Sequence, residues 1–133
     1  MRYYVASAIT NAARVNEVAA LLNAKGHQRT YDWTKHGSVA GAAADLQGSV
    51  ATQELHGVMD AELVVLLLPG RFGTHAELGA AIATAENKRI LLWSEDASVF
   101  DGGDRFCVFY HFPAVERHSG AFSEFLQVLS TEF

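Results

Sequence analysis

The chain is short of cysteine, of long hydrophobic runs and of basic residues, and each shortage removes a class of protein. Cys107 is the single cysteine among 133 residues, so there is neither an internal disulfide nor a cysteine-based zinc cluster. The longest apolar run, Leu63 to Leu68, is far too short to span a bilayer. The opening Met1-Arg2-Tyr3-Tyr4-Val5-Ala6-Ser7 is too short and polar for the core of a signal peptide. A cytoplasmic protein with no membrane partner is expected. Ten Lys plus Arg face fifteen Asp plus Glu, a net charge of −5, and such a surface repels a polyphosphate backbone. Nucleic acid is therefore not an expected partner. A small anionic ligand still is possible, because one Arg or a helix N-terminus neutralises it locally. Histidines stand at 27, 36, 56, 75, 111 and 118, none in HxxxH, HExxH or HxH spacing, so neither a metal nor a cofactor is expected. Repeats, linkers and low-complexity tracts are also missing, which leaves one domain over residues 1–133.

What is present is an alternation of short apolar runs with longer helical stretches. Half the residues are apolar and 19% are charged, and a chain of this length buries about two-thirds of its unfolded surface. Tyr3 to Ala8 is a near-continuous apolar run, as a strand covered on both faces requires. Asn11 to Lys25 carries Val15, Val18, Ala19, Leu21 and Leu22 at helical spacing, and Gly26 stands where a helix C-cap glycine belongs. Gln28 to Trp33 reads as a weaker strand. Ser38 to Met59 is mostly helical in pattern, interrupted by Gly41 and Gly48. Glu62 to Leu68 is the strongest strand and stops at Pro69-Gly70; Thr74 to Asn87 is the next helix and Arg89 to Trp93 the fourth strand. Ser94 to Asp104 reads as a loop, Phe106 to Phe112 as a fifth strand, and His118 to Leu129 as a closing helix. This order predicts an α/β protein with a parallel sheet, right-handed crossovers and helices on both faces. In such folds the ligand sits beyond the C-terminal strand ends, where strand order reverses, so the loops after strands one, two and three are where chemistry is expected.

The most informative segment joins the central strand to a helix: Leu68-Pro69-Gly70-Arg71-Phe72-Gly73-Thr74-His75-Ala76-Glu77-Leu78-Gly79. Gly70 and Gly73 let the backbone turn sharply and approach a ligand. Two readings of Thr74-x-x-Glu77 stand side by side. It is a capping box in which Thr74 caps the helix and Glu77 bonds back, or it places a carboxylate at the pocket. Ser7, Thr10 and Asn11 end the first strand, where they contact a sugar or phosphate, or where Thr10 or Asn11 merely caps the first helix. Trp33, beside Asp32, either stacks on a base or is a half-buried strand-end aromatic. Asp60 reads as a turn residue, and His75 as lying on the outer helix face.

The run LLLPGRFGTHAELGAA resembles the motif of the nucleoside 2-deoxyribosyltransferases and the related 2'-deoxynucleoside 5'-phosphate N-hydrolases, with Gly73, Glu77, Leu78 and Gly79 in register. The resemblance extends over nearly the whole chain, through the opening strand Tyr3 to Ser7 and the stretch Gln53-Glu54-Leu55-x-x-Val58 to Leu68. It implies a three-layer Rossmann- or flavodoxin-like fold with a five-stranded, mostly parallel sheet, and a homodimer in which Tyr110-His111-Phe112-Pro113 reaches a neighbouring site. It implies that Glu77 is the nucleophile attacking the anomeric carbon. Glu54 falls where the family usually has an Asp that binds or protonates the base. Arg71 departs from the family, standing where the transferases often have a second Asp and the hydrolases a small polar residue; an Arg there suits a 5'-phosphate.

The chemistry calls for such groups. Breaking an N-glycosidic bond builds positive charge on the sugar, which an ionised carboxylate stabilises or captures, while a second carboxyl protonates the departing base. The expected substrate is accordingly a (2'-deoxy)nucleoside or its 5'-monophosphate, held by Ser7, Thr10, Asn11, Trp33, Gly70, Arg71, Gly73 and Thr74. Pro69-Gly70-x-x-Gly73-Thr74-x-x-Glu77 also resembles the PGGxGTxxE motif of cytokinin-activating phosphoribohydrolases, although Arg71 replaces a glycine and the first loop contains none. A third reading is a nucleotide-binding sensor that kept the pocket and lost turnover.

Overall fold

The computed structural model describes residues 1–133. The elements follow as β1 (Arg2–Ser7), α1 (Ala12–Ala24), β2 (Gln28–Arg29), α2 (Ala44–Asp60), β3 (Leu63–Leu67), α3 (Phe72–Ala83), β4 (Arg89–Ser94), β5 (Val115–Ser119) and α4 (Phe122–Glu132). All five strands are parallel, in the order β2-β1-β3-β4-β5. The fold is a parallel α/β sheet layered between helices. Every residue of β3 is buried, because β1 and β4 flank it and helices cover both its faces. No helix is long and apolar enough to cross a membrane.

The two-residue period of β1 decides what each helix layer meets. The Tyr3 hydroxyl reaches α1, 2.8 Å from Asn23 Oδ1 and 3.2 Å from the Ala19 carbonyl. Tyr4 points to the opposite layer, where its ring lies against Gly57 of α2. On the far side of the sheet Trp93 is fully buried, with Phe125 stacked at 6.0 Å and Phe122 edge-on at 5.2 Å. Arg89 binds Glu116 through two hydrogen bonds of 2.8 and 2.6 Å and Glu132 through one of 2.7 Å, tying β4 to β5 and α4. From β1 the chain proceeds to β2 on one side, and then to β3 on the other. The connections therefore diverge at the tips of β1 and β3 and leave a crevice between them.

Several boundaries differ from those read in the sequence. The fifth strand is Val115–Ser119, not Phe106 to Phe112. The aromatic segment instead holds a 3-10 turn over Val108–His111 that buries Tyr110 and leaves Phe106, Phe109 and Phe112 exposed. An edge strand has one neighbour and one wet flank, so VERHS needs little apolar character. His118 belongs to this strand rather than to the last helix, which begins at Phe122 after Gly120 (φ 113°). Strand two shrinks to Gln28–Arg29, and Trp33 opens a 3-10 turn, Trp33–Lys35. Helix α2 starts at Ala44, not Ser38, because Gly41 adopts a φ of 77° that no helix contains. Helix α3 runs from Phe72 to Ala83, starting before Thr74 and stopping short of Asn87, whose φ is 59°.

Gly57 sets how closely α2 approaches the sheet. A Cβ there would lie 2.9 Å from Tyr31 Cβ and 3.0 Å from the Tyr4 ring. Alanine gains up to about 1 kcal/mol of helix propensity, but overpacking costs about 1–3 kcal/mol, and a neighbouring Cβ cannot swing away. Gly57→Ala is therefore expected to lower the thermal midpoint by several degrees. Gly48→Ala in the same helix, where a Cβ meets nothing within 4 Å, is expected to raise it. Paired thermal melts followed by circular dichroism check both signs.

Candidate active site

The crevice between the tips of β1 and β3 holds a cleft of about 310 Å³. Loops after the first three strands converge on it, as the topology demands. The end of β1 brings Ser7, the segment after β2 brings Trp33 and His36, α2 brings Gln47, Val50 and Glu54, and the first turns of α3 bring Arg71, Gly73, Thr74 and Glu77. The spacing 47, 50, 54 is one helical face turned inward.

Helix α3 does not start as a capping box built on Thr74 and Glu77. Arg71 is the N-cap, and its backbone N–H donates to Thr74 Oγ1 at 3.3 Å. Thr74 is buried at this post, and a Cβ on Gly70 would collide with it at 2.6 Å. Gly70 thus serves the close approach of the turn to Thr74 and does not line the cleft. With the start of the helix moved forward, Glu77 lies beyond the first turn and is released from capping.

One oxygen of the Glu77 carboxyl, Oε2, is sealed from solvent and without a hydrogen-bond partner. Burial pushes its pKa up to about 8; the Tyr4 hydroxyl opposes the rise and the charge of Glu54 adds to it. Tyr4 is raised in turn, first by burial and then by the facing carboxyl. Neither Tyr4 Oη nor Glu77 Oε2 makes a hydrogen bond of standard geometry, so the phenol is poised to donate when the carboxylate ionises. Burial also raises Glu54, and His36 opposes that rise. Two carboxyls with elevated pKa values thus share one cleft, an arrangement suited to acid–base or nucleophilic work.

Other candidates are placed differently from expectation. Trp33 lines the cleft, but its Nε1 donates to the Val5 carbonyl at 2.8 Å and the residue is only 4% exposed, so the indole anchors its segment over β1. Arg29 and Asp32, paired at 2.9 Å, brace the same segment. Ser7 Oγ donates to the Leu67 carbonyl at 2.7 Å and accepts from Asn11 Nδ2 at 3.0 Å. Asn11 therefore holds the β1 tip and makes no side-chain cap, while Thr10 is exposed; neither lines the cleft. His75 does not simply face outward. Its Nδ1 donates to the Arg71 carbonyl at 2.6 Å, and its Nε2 accepts from the Tyr110 hydroxyl at 2.6 Å. Asp60 ends α2 rather than standing in a turn.

Sequence reasoning did not single out Tyr4, His36 or Gln47. The inward face of α2 offered a signal for Gln47, three and seven residues before Val50 and Glu54. His36 lies in an irregular segment and offered none.

No protein-family model matches the chain, and no curated protein matches it. Among solved structures, one described as the Clostridium botulinum CMP N-glycosidase BcmB is similar, with a TM-score of 0.64 over 98% of this chain and 99% of that one, at 21% sequence identity. The likeness spans both chains from end to end and establishes that they share a fold: a parallel, layered α/β sheet.

Proposed function

We propose that the protein hydrolyses the N-glycosidic bond of a nucleoside 5'-monophosphate, with Glu77 as nucleophile. The observation that carries this reading is the placement of Glu77, which lines the cleft beside Tyr4 instead of capping its own helix. A similar fold belongs to a protein described as a CMP N-glycosidase, which supports hydrolysis of a nucleotide over base exchange. The carboxylate attacks the anomeric carbon and the base leaves; water then resolves the glycosyl ester. Glu54 stands on the base side. The test is incubation with nucleosides, deoxynucleosides and their 5'-monophosphates, with liberated base followed by chromatography. Ligand binding with no base released from any of them would defeat the reading in favour of a sensor.

Arg71 supports the phosphate-bearing substrate. It is exposed at the start of α3 and pairs with no carboxylate. The amides of Phe72 and Gly73 beside it have no carbonyl within their own helix to bond, as in the first turn of any helix. A charge-assisted contact to phosphate contributes about 1.5–3 kcal/mol. Arg71→Ala is therefore expected to lower kcat/KM for the monophosphate by about 10- to 100-fold while leaving any activity on the free nucleoside nearly unchanged. Parallel kinetics on the two substrates check this.

A further inference from the structure

We propose that His36 is a further catalytic residue, joining Glu54 in a one-proton dyad that protonates the departing base, an inference that rests on the reading of Glu77 as nucleophile and Glu54 as the base-side carboxyl. A carboxylate that attacks carbon cannot also supply a proton in the same step, and a nucleobase leaves poorly as an anion. Some other group in the cleft must hold that proton. Arg71 and Gln47 do not release protons near neutrality. The hydrogen of Ser7 is committed to the Leu67 carbonyl, and an aliphatic hydroxyl such as that of Thr74 does not release its proton near neutrality. His36 and Glu54 remain.

Their geometry suits the role. His36 Nδ1 lies 2.8 Å from the Gly37 carbonyl, which can only accept, so Nδ1 carries a hydrogen and Nε2 is the atom that exchanges protons. Nε2 is 3.9 Å from Glu54 Oε1, and both residues line the cleft that Glu77 lines. Tyr31 lies against the imidazole, ring centres 5.9 Å apart, and its own hydroxyl donates to Gln53 of α2 at 3.1 Å. The ring is thereby held to the helix that carries its partner. The titratable and charged groups around His36 are Glu54 on α2, Tyr31 on the preceding segment, Lys35 beside it in the chain, and Arg71 and Glu77 on the α3 wall.

The step balances as follows. Glu77 forms a C1'–O bond as the C1'–N bond breaks, and the bonding pair passes to the base. The base takes the proton from the dyad, leaving neutral His36 beside ionised Glu54. Water then attacks C1', its displaced proton returns to the dyad, and the Glu77 ester is released as carboxylate. The net change is glycoside plus water to free sugar phosphate and neutral base.

The experiment compares two substrates on the intact protein: the nucleoside 5'-monophosphate that is cleaved best, and a p-nitrophenyl ribofuranoside 5-phosphate, whose leaving group needs no proton. His36→Gln is expected to slow base release on the order of 10²-fold. Release of p-nitrophenol is expected to stay within about threefold, as for any step without acid assistance, and this also reports that the variant is folded. Glu54→Gln is expected to show the same selectivity when both proteins are compared at a pH where Glu77 is ionised in each. Equal losses on both substrates, or no loss on either, would overturn the dyad while leaving the nucleophile in place. A wild-type protein that cleaves neither substrate would overturn both.

Discussion

Glu77→Gln is expected to reduce base release by about 10³-fold or more, a change of roughly 4 kcal/mol in barrier. The amide keeps the shape of the side chain and removes the capacity to bond to carbon. At neutral pH the resting carboxyl, its pKa pushed up to about 8, is mostly protonated, so glutamine resembles the state in which the site waits. Folding and ligand affinity are therefore expected to survive the substitution. Calorimetry with the monophosphate, run beside chromatography of released base, separates loss of chemistry from loss of binding. A variant that retains wild-type turnover would remove Glu77 from the reaction.

The second large effect is on pH. With an ionisation near 8, the nucleophilic form at pH 6 is a minor fraction. On the p-nitrophenyl substrate, kcat/KM is expected to rise roughly fifty-fold between pH 6 and pH 8. Removing the charge of Glu54, which contributes to raising Glu77, is expected to move that rise toward lower pH. The same group couples to stability. Its folded pKa lies above the usual carboxylate value of 4.5, so the folded state holds the proton after the unfolded chain has lost it. The contribution is complete below about pH 4.5 and is lost as pH climbs through 8. Across that window stability is expected to decline by a few kcal/mol at most, and the decline is expected to flatten in Glu77→Gln. Glu62 and Asp96, lowered mainly by backbone hydrogen bonds, act in the opposite direction. Their stabilisation is present above the unfolded values and is lost as acid protonates them, in a separate range below the window of Glu77. Thermal melts of both proteins at several pH values check the sign.

The strands buried on both faces were legible from sequence because ELVVLLL and RILLW admit few alternatives, and the alternation around them led to the parallel topology. Part of the candidate cleft was legible in its strand-to-helix loop, where Arg71, Gly73 and Glu77, all lining it, stand in one short run. What escaped was whatever tertiary contact decides. VERHS carries too little apolar character to signal a strand, and its pairing with β4 comes from position. FCVFYHF carries abundant apolar character, yet one buried Tyr110 and its bond to His75 direct it into a turn. The cap of α3 was read one turn late, since Arg71 is not a capping residue type and Thr74 is. His36 entered the cleft through a segment without periodicity, anchored by Trp33 on β1 and flanked by Tyr31.

Both borders of the sheet are poor templates for growth. On one side β2 offers only two residues to a newcomer, and on the other β5 presents Glu116, Arg117 and His118 in succession. A foreign strand docking at either margin would find a stub or a row of ionisable side chains. Strand-by-strand growth of the sheet is thereby disfavoured at both ends.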